Sequence, residues 1–545
     1  MTETTVAIGG NIVDILGETI EPGVVEVAGG RIVRIRREPG RRYDRYLLPG
    51  LVDSHVHIES SMLPPAEYAR LASARGTVAV LADPHEIANV LGIAGVRYMV
   101  ENGRQTPFKF YFGAPSCVPA TGFETAGAGL GTAEIESLFR EDGLKFLGEM
   151  MNYPGVLAGD PEVLARLAVA RRYGRPVDGH APGLRGPELM AYYGAGITTD
   201  HEAYTLEEGL EKAAAGMKVQ IREGSAAKNF AALHPLIDRY PSQCMFCTDD
   251  RHPDELAEGH IDHLVKLALA AGHDRFKVLR CASANPVFHY GLEVGLLRPG
   301  DPADLIVIDD FERFTILATY IGGRLVAEAG ASLLPRIPSR SINNFRIGPK
   351  AAPDFAVPAR PGQLNVIEVY PGELITGRLR IEPAIAGGEA VADPGRDLLK
   401  IAVVNRYRDA VPALGFVKNF GLRKGAIASS VAHDSHNIVT VGATDRDLAR
   451  AVNLIIEHQG GLAVVSDDFE AILPLPVAGL MSYEEGRTVA AQYRRMAARA
   501  RELGSPLPDP FMTLSFMALL VIPELKLSDR GLFDAKRFAF TELFE

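Results

Sequence analysis

The stretch Leu47-Leu48-Pro49-Gly50-Leu51-Val52-Asp53-Ser54-His55-Val56-His57 is an apolar run that ends in two histidines one residue apart. Because residues of a strand alternate between its two faces, His55 and His57 project to the same side. Two imidazoles at the end of one strand can hold one metal ion. The H-x-H spacing alone is a weak motif, since the chain has 14 His in 545 residues. Its interpretation therefore depends on the segments that follow.

Further apolar runs also end in residues that can bind a metal. The runs 144–148, 176–179, 196–200 and 244–248 lead into Glu149, His180, His201 and Asp249. Together with the opening run and with 76–83, 109–113 and 217–222 they make eight candidate strands, separated by helix-like stretches such as 161–173 and 206–215. This alternation predicts an α/β fold with a (β/α)8 TIM-like barrel. Active sites of such barrels lie at the C-terminal strand ends, where the first, fourth, fifth, sixth and eighth strands carry these ligands.

The composition narrows the class of protein. A chain of 545 residues predicts two to four domains, and 47% hydrophobic residues suffice for sizeable cores. The formal net charge of −11 and the lack of a basic run disfavour nucleic-acid and membrane partners. Four Cys do not make a disulfide framework. Residues 1–5 do not resemble a signal peptide, and no apolar stretch is long enough to cross a bilayer. We expect a cytoplasmic enzyme, and a homo-oligomer.

The remaining sequence predicts two more domains and a linker. Residues 1–47 and 298–340 are rich in short strands and are expected to combine into one small β-sandwich domain built from both flanks of the barrel, which spans 48–297. Residues 341–363 carry many Pro, Gly and Ala and predict a linker. Residues 364–545 predict a C-terminal domain with helices and strands. Within it, Thr444-Asp445-Arg446-Asp447 has the form of a capping box before a helix.

Several longer motifs resemble the amidohydrolase superfamily of metal-dependent hydrolases, and within it the adenine deaminases. The resemblance runs nearly end to end, and the motifs together are far more specific than H-x-H alone. The matching segments are residues 49–62, 83–90, 148–156, 178–180, 221–227, 247–251, 433–437 and 473–482.

The resemblance implies a set of metal ligands. In that pattern His55 and His57 are the first-strand ligands, Glu149 bridges two metals, and His180 and His201 follow on the fifth and sixth strands. Asp249 is the carboxylate of the eighth strand. The implied cofactor is a pair of divalent ions. Ligand type alone does not choose among Mn²⁺, Fe²⁺ and Zn²⁺, and the resemblance favours Mn²⁺ or Fe²⁺ over Zn²⁺.

The resemblance also implies the reaction, hydrolysis of adenine to hypoxanthine and ammonia, as in purine salvage and adenine catabolism. A metal-activated hydroxide would attack C6, and Asp249 would carry a proton from the water to the leaving amine. Protonation of N1 would stabilise the charge that develops on the ring. Glu202 and Glu223 are both candidates for that role, and the sequence does not choose between them.

Other residues of the motifs are candidates for substrate binding: His85, Glu86, Arg222, Ser225, His433 and His436. The two histidines of the C-terminal domain could close over the active site or only join two domains. Three other classes of protein share part of this pattern. A zinc deaminase with H-x-E and P-C-x-x-C is rejected, because Gln243 replaces the Pro and the two pieces lie far apart. A cyclic-amide hydrolase of the dihydroorotase or hydantoinase type, and a catalytically inactive metal-binding scaffold, stay open.

Overall fold

The computed structural model describes residues 6–545, so the expectation about a signal peptide, which concerns Met1 to Thr5, lies outside the described residues. The described chain begins with strands β1 (Val6–Asp14), β2 (Thr19–Ala28), β3 (Arg31–Arg37) and β4 (Tyr46–Pro49). Ala28 pairs with Arg31 across a two-residue turn. Gly29 and Gly30 form the turn with φ of 57° and 76°, a left-handed backbone that glycine adopts without a Cβ penalty.

The next strands form the barrel. They are β5 (Leu51–His57), β6 (Thr77–Ala82), β7 (Lys109–Ala114), β8 (Phe146–Met150), β9 (Val177–Gly179), β10 (Thr199–Asp200), β11 (Lys218–Arg222), β12 (Cys244–Cys247) and the short β13 (Asp249–Asp250). Strands β5 to β9 pair in parallel, as do β10 to β12. A parallel bridge between Val177 and Ile197 links the two groups, and β13 returns to β5. The parallel sheet is thereby curled into a ring of eight strand positions.

Helices connect these strands on the outside of the ring. They are α1 (Pro65–Ser73), α2 (His85–Leu91), α3 (Ile93–Gly103), α4 (Thr132–Ser137), α5 (Tyr153–Ala158), α6 (Pro161–Arg172), α7 (Gly186–Gly194), α8 (Leu206–Ala214), α9 (Phe230–Leu233), α10 (Leu236–Arg239), α11 (Pro253–Glu258), α12 (Ile261–Ala270), α13 (Arg275–Leu279) and α14 (Asn285–Tyr290). Capping side chains begin several of them: Asp160 accepts from the N–H of Glu162, and Thr205 from that of Glu208. Within residues 6–545, no helix combines the length and apolarity needed to span a membrane.

The strands after the barrel complete the first sheet. They are β14 (Leu305–Ile308), β15 (Ile316–Ile321), β16 (Arg324–Glu328) and β17 (Ala331–Ser332), and the sheet order is β17-β16-β15-β14-β4-β1-β2-β3. This single sheet folds back on itself, because Ile32 exchanges backbone hydrogen bonds with Gly300 and Asp301 at 2.7 and 2.9 Å. The two flanks of the barrel therefore share one core, which includes Val25 and Leu305.

Residues 341–363 lack long regular elements but are packed against the C-terminal domain. Phe355 is fully buried in a core cluster of that domain, and the N–H of Arg346 donates to the carbonyl of Arg406 at 2.9 Å. The predicted linker is therefore irregular in backbone and fixed in place by apolar burial, which composition alone does not indicate.

The C-terminal domain is built on a second eight-stranded sheet of order β19-β18-β23-β22-β25-β24-β26-β27. The strands of the domain are β18 (Leu364–Val369), β19 (Thr376–Ile381), β20 (Ala384–Ala386), β21 (Glu389–Val391), β22 (Leu398–Val404), β23 (Ala413–Lys418), β24 (Ala426–Ser429), β25 (Ile438–Gly442), β26 (Gly461–Ser466), β27 (Phe469–Pro474), β28 (Leu525–Ser528), β29 (Gly531–Asp534) and β30 (Ala539–Phe540). Outside the large sheet, β20 pairs with β21, and β28, β29 and β30 form a small three-stranded sheet. The helices of the domain are α15 (Asp445–Glu457), α16 (Gly486–Glu502) and α17 (Pro510–Phe516).

The C-terminal domain lies against the carboxyl-terminal end of the barrel. The barrel loop after β7 reaches it, since the N–H of Thr125 donates to Asp529 at 2.8 Å and Asn437 donates to the carbonyl of Thr125 at 2.9 Å. On another side, the N–H of Gly486 at the start of α16 donates to Glu67 of α1 at 2.9 Å. These contacts bring the loop between β24 and β25, residues 433–437, to the end of the barrel where the candidate ligands lie.

Candidate metal centre

Six candidate ligands from five strands converge at the carboxyl-terminal end of the barrel, and we call this set the metal centre: His55, His57, Glu149, His180, His201 and Asp249. His55 and His57 both lie on β5 and face the same side because strand residues alternate. Glu149 lies on β8. His180 directly follows β9, and His201 directly follows β10. Asp249 is the first residue of β13 and is separated from the end of β12 only by Thr248. Parallel strands of a barrel end at one rim, so residues distant in sequence meet there.

One half of the metal centre is formed by the two histidines of β5 with Asp249. The Nε2 atoms of His55 and His57 lie 3.2 Å apart. Oδ1 of Asp249 is 3.5 Å from Nε2 of His55 and 3.1 Å from Nε2 of His57. Oε1 of Glu149 is 3.2 Å from Nε2 of His57. Two imidazole nitrogens and two carboxylate oxygens thus point at one another.

The other half is formed by His180 and His201 around the second oxygen of Glu149. Oε2 of Glu149 lies 2.7 Å from Nδ1 of His180 and 3.3 Å from Nε2 of His201. Each oxygen of Glu149 therefore serves a different half of the metal centre. A carboxylate so divided can bridge two cations, and the remaining donors are nitrogen and oxygen atoms that suit first-row divalent metals.

Neighbouring groups hold these ligands in orientations that fit a metal pair. Nδ1 of His57 lies 3.0 Å from the carbonyl oxygen of Asp83, which places a proton on Nδ1 and leaves the lone pair of Nε2 directed at the centre. The Asp83 carboxylate accepts the N–H of Glu149 at 2.9 Å. Gly148 makes this approach possible, because a Cβ there would lie 2.3 Å from Oδ2 of Asp83.

The charges at the centre favour ionised carboxylates. Burial raises the pKa of Glu149, but the charges of His201 and His180 and their hydrogen bonds outweigh it and hold that pKa well below its ordinary value. Burial likewise raises the pKa of Asp249. The charge of Arg222 and the hydrogen bonds with His55 and His57 outweigh burial and hold that pKa well below its ordinary value. Ionised carboxylates beside imidazole nitrogens form the donor set that a divalent cation requires.

Arg222 connects two carboxylates beside the metal centre. Its Nη1 donates to Oε1 of Glu202 at 2.7 Å and also to Oδ2 of Asp249. Glu202 in turn lies 3.4 Å from Nε2 of His201 and 3.7 Å from Nδ1 of His180. Burial raises the pKa of Glu202, but Arg222 and His180 lower it well below its ordinary value. Arg222 therefore orients acidic side chains at the centre.

Two sequence-predicted residues lie away from the metal centre. Glu223 follows Arg222 directly, and since side chains alternate along β11, it faces the charges of Lys228 and Arg251 instead. Ser225 is held in the loop after β11, where its hydroxyl donates to Glu255 at 2.8 Å and accepts the N–H of His252 at 2.8 Å. Neither side chain therefore belongs to the metal centre, and the expectations that Glu223 protonates N1 and that Ser225 binds substrate stay predictions.

The histidine pair of the C-terminal domain does reach the barrel. Nδ1 of His433 lies 2.5 Å from Oε1 of Glu86, and Nε2 of His436 contacts Oε2 of the same carboxylate. The N–H of Ala432 donates to Nδ1 of His436 at 3.1 Å, so Nε2 carries the proton. Burial lowers the pKa of His436 to about 4, whereas Glu86 raises the pKa of His433 to about 9 against the effect of burial.

His85 lies between this histidine pair and the metal centre. Its Nε2 is 3.5 Å from Oε1 of Glu86 and its Nδ1 is 3.6 Å from Oε1 of Glu149. The ring of His85 also meets that of His57 edge to face at 4.5 Å. Burial lowers the pKa of His85, but the charge of Glu86 raises it further, to well above the ordinary value.

Access to the centre is greatest on the side of β9 and β10. The side chains of His180 and Glu202 are 20% and 18% exposed, whereas those of His55, His57 and Glu149 are nearly fully buried. A substrate that reaches the centre from this side meets His180 and Glu202 first.

The sequence analysis assigned no role to two aspartates near the centre. Asp83 supports both His57 and Glu149, and Asp434 places a carboxylate oxygen near His85 and Glu86. Burial and the charge of Glu86 raise the pKa of Asp434 to about 6. Both residues stood in the quoted motifs, and Asp83 directly follows a barrel strand, which was a usable signal. The motif around Asp434 gave no indication of its position, because only the packing of two domains brings it close to His85.

Comparisons with known proteins match both halves of the chain. A family described as "Amidohydrolase family" matches residues 46–326, and one described as "Adenine deaminase C-terminal domain" matches residues 373–539. A protein of Salinibacter ruber named "Adenine deaminase" is 54% identical over 541 residues, covering 99% of each chain. Proteins of that name from Sulfurovum sp. and Methanosarcina mazei are 55% and 50% identical, covering 98% of this chain and 98% and 99% of theirs.

Proposed function

The chain belongs to the amidohydrolase family and, within it, to the adenine deaminases, and from this premise we propose how its metal centre carries out the reaction. The reaction is the hydrolytic deamination of adenine to hypoxanthine and ammonia. The observation that carries the assignment is identity of about half of all residues to proteins of that name over nearly the whole of both chains. A cyclic-amide hydrolase and an inactive scaffold are not favoured, because the match includes the C-terminal domain.

We assign the metal ligands to His55, His57, Glu149, His180, His201 and Asp249. The support is their convergence on one rim, with each oxygen of Glu149 serving a different half of the centre. When bound, a divalent metal pair supplies the Lewis acidity that makes water a nucleophile near neutral pH. We propose Mn²⁺ or Fe²⁺, with Zn²⁺ as the alternative, since mixed imidazole and carboxylate donors suit all three.

Asp249 is the proposed proton carrier. Arg222 donates to its Oδ2, which leaves Oδ1 directed at the metal centre. Oδ1 accepts one proton of the attacking water and delivers it to the amino nitrogen at C6. The C6–O bond forms, the C6–N bond breaks, and ammonia leaves. The second proton of the water ends on N1, as hypoxanthine requires.

Glu202 is the proposed relay for the proton at N1. It lies on the accessible side of the centre, and its hydrogen bond from Arg222 at 2.7 Å holds the carboxylate in place. Arg222 and His180 keep the pKa of Glu202 low, so the carboxylate is ionised and can accept the proton before passing it to N1. His85, held by Glu86, is proposed to lie beside the bound purine, and Arg222 acts through the two carboxylates that it orients.

Ammonia release from a panel of purines tests the proposed function. The protein is expressed with added manganese and assayed with adenine, other 6-aminopurines and dihydropyrimidines. We expect adenine to be deaminated and dihydropyrimidines to be left intact. Hydrolysis of a dihydropyrimidine without adenine turnover would replace this proposal by the cyclic-amide alternative.

We further propose a cytoplasmic homo-oligomer that has neither nucleic-acid nor membrane partners. The net charge of −11 makes binding to polyanions unfavourable. Met190 and Phe288 on the outer helices are 53% and 56% exposed and offer apolar area for contact with a second copy. Light scattering after gel filtration measures the mass; a monomer at micromolar concentration contradicts the oligomer.

A further inference from the structure

The loop of residues 433–437 fastens the C-terminal domain to the barrel next to the metal centre. His433 and His436 each bind one oxygen of Glu86, and all three side chains are buried. The ring of His433 also stacks on Phe516 of α17 at 4.4 Å. The position of the loop is thereby defined from both domains, so the side chains between the two histidines are held in place as well.

Asp434 lies between these histidines in the sequence, and its carboxylate is close to His85, a neighbour of the metal centre. One of its carboxylate oxygens is within 4.8 Å of a ring nitrogen of His85 and of an oxygen of Glu86. The residue is 3% exposed, and its Oδ2 has no hydrogen-bond partner among the described residues. His85 is itself 3.6 Å from Glu149. One side chain, that of His85, therefore lies between the carboxylate of Asp434 and the bridging carboxylate.

A buried carboxylate oxygen without a partner is unfavourable, so the site calls for a donor from outside the chain. A third cation would need at least about four ligands. Both oxygens of Glu86 are already bound by His433 and His436, which leaves only His85 and Asp434 to hold an ion. An N–H group of a bound substrate needs just one acceptor and fits the arrangement better.

We propose that Asp434 accepts a hydrogen bond from the imidazole-ring N–H of the purine and thereby selects the free base. This inference rests on the proposed function, because it places adenine with C6 at the metal centre. The imidazole ring of the free base carries one N–H, on N7 or N9, whereas that of a neutral purine substituted at N9 carries none. Asp434 is then a specificity residue supplied by the C-terminal domain, and nucleosides are rejected because its carboxylate would stay buried and unpaired.

The size of the effect follows from the cost of an unpaired acceptor. A site built to hydrogen-bond a substrate N–H discriminates by about 10⁴–10⁵ against an analogue that lacks it. We expect the unaltered holoenzyme to prefer adenine over 9-methyladenine by at least about 10³ in kcat/KM. The methyl group is a better probe than ribose, because it removes the N–H with a small increase in size.

The test compares adenine and 9-methyladenine in Asp434→Ala, Asp434→Asn and a control, all loaded with metal. Asp434→Ala should lower kcat/KM for adenine about 10²-fold and change that for 9-methyladenine little, so the preference shrinks. Asp434→Asn keeps an acceptor without the charge and should restore part of the preference. Ser435→Ala is the control, since it changes a side chain of the same loop without removing a charge.

Two results would overturn the inference. One is an unchanged preference for adenine in a folded, active Asp434→Ala. The other is the loss of one bound metal ion per chain in that variant, which would make Asp434 a metal ligand. Failure of the proposed function is a separate result, because the unaltered holoenzyme would then leave adenine intact. Melting temperatures of all variants show whether they fold.

Discussion

Asp249 and Asp250 are adjacent identical side chains with different surroundings, and their amide variants test the assignment of the proton carrier. Oδ1 of Asp249 lies 3.1 Å from Nε2 of His57, and its Oδ2 is bound by Arg222. The carboxylate of Asp250 instead accepts the hydroxyl of Ser60 at 2.5 Å. Asp249→Asn and Asp250→Asn preserve shape and remove one charge each, so each controls for the other.

The expected loss can be worked out from these contacts. General acid–base transfer contributes typically about 10²–10⁴-fold, and Asp249→Asn also removes an anionic ligand from one half of the metal centre. We therefore expect kcat with saturating adenine to fall by at least about 10²-fold. Asp250→Asn keeps an acceptor for Ser60 and leaves the metal centre intact, so kcat should fall by less than about tenfold.

The assay measures hypoxanthine formation at saturating adenine, with the metal content of each variant determined in the same preparation. Metal content separates lost proton transfer from lost metal binding in Asp249→Asn. If Asp250→Asn is inactive and Asp249→Asn is nearly normal, the eighth strand has been read one residue out of register, and the proton carrier must be reassigned.

Three further predictions concern the bridge, a buried acid and a buried lysine. Glu149→Gln removes the charge shared by both halves, so bound metal and activity should be lost together while the circular dichroism spectrum is kept; full activity with two bound metals would refute the bridge. Burial raises the pKa of Glu124 from 4.5 to about 8. The folded protein therefore keeps the carboxyl proton over this pH range, and the free energy of unfolding falls as the pH rises from 4.5 to about 8. Relative to Glu124→Gln, the urea unfolding free energy should fall by about 1.4 kcal/mol per pH unit there; parallel curves would contradict this. Lys212 donates to Asp200 at 2.8 Å and Glu208 at 2.6 Å, so Lys212→Met should cost about 3–5 kcal/mol in unfolding free energy; a change below about 1 kcal/mol would show the carboxylates need no cation.

The ring of strands could be predicted because local signals agree with the fold. Apolar runs followed by His57, Glu149 or Asp249 predict parallel strands, and such strands must end at one rim. The helix start at Thr444 was also visible as a capping box, and the Thr444 hydroxyl accepts the N–H of Asp447 at 3.1 Å in the structure. In these places one short stretch contains all the information that the prediction needs.

The choice between Glu202 and Glu223 could not be made from the sequence. It depends on which way Arg222 points at the last residue of β11, and the strand ends one residue before Glu223. With Arg222 turned toward Glu202 and Asp249, Glu223 must face away. A shift of one residue would exchange the two side chains, and periodicity does not define a strand end that closely.

The position of the loop 433–437 could not be predicted because it depends on contacts between distant parts of the chain. His433 and Glu86 are 347 residues apart in sequence. The H-D-S-H-N motif indicates chemistry, but only the packing of the C-terminal domain on the barrel decides that Asp434 faces His85. The way in which the first sheet folds back on itself could not be predicted for the same reason, because it depends on hydrogen bonds between Ile32 and residues 300–301.

The central claim is that adenine is hydrolysed at a metal pair held by six side chains of the barrel rim. The most direct test is hypoxanthine formation measured against metal bound per chain, in protein that is stripped by a chelator and reloaded stepwise with Mn²⁺. We expect almost no activity in the stripped protein, and a rate that rises until about two ions are bound per chain. Full activity in the stripped protein, or a maximum reached with a single ion per chain, would contradict the account.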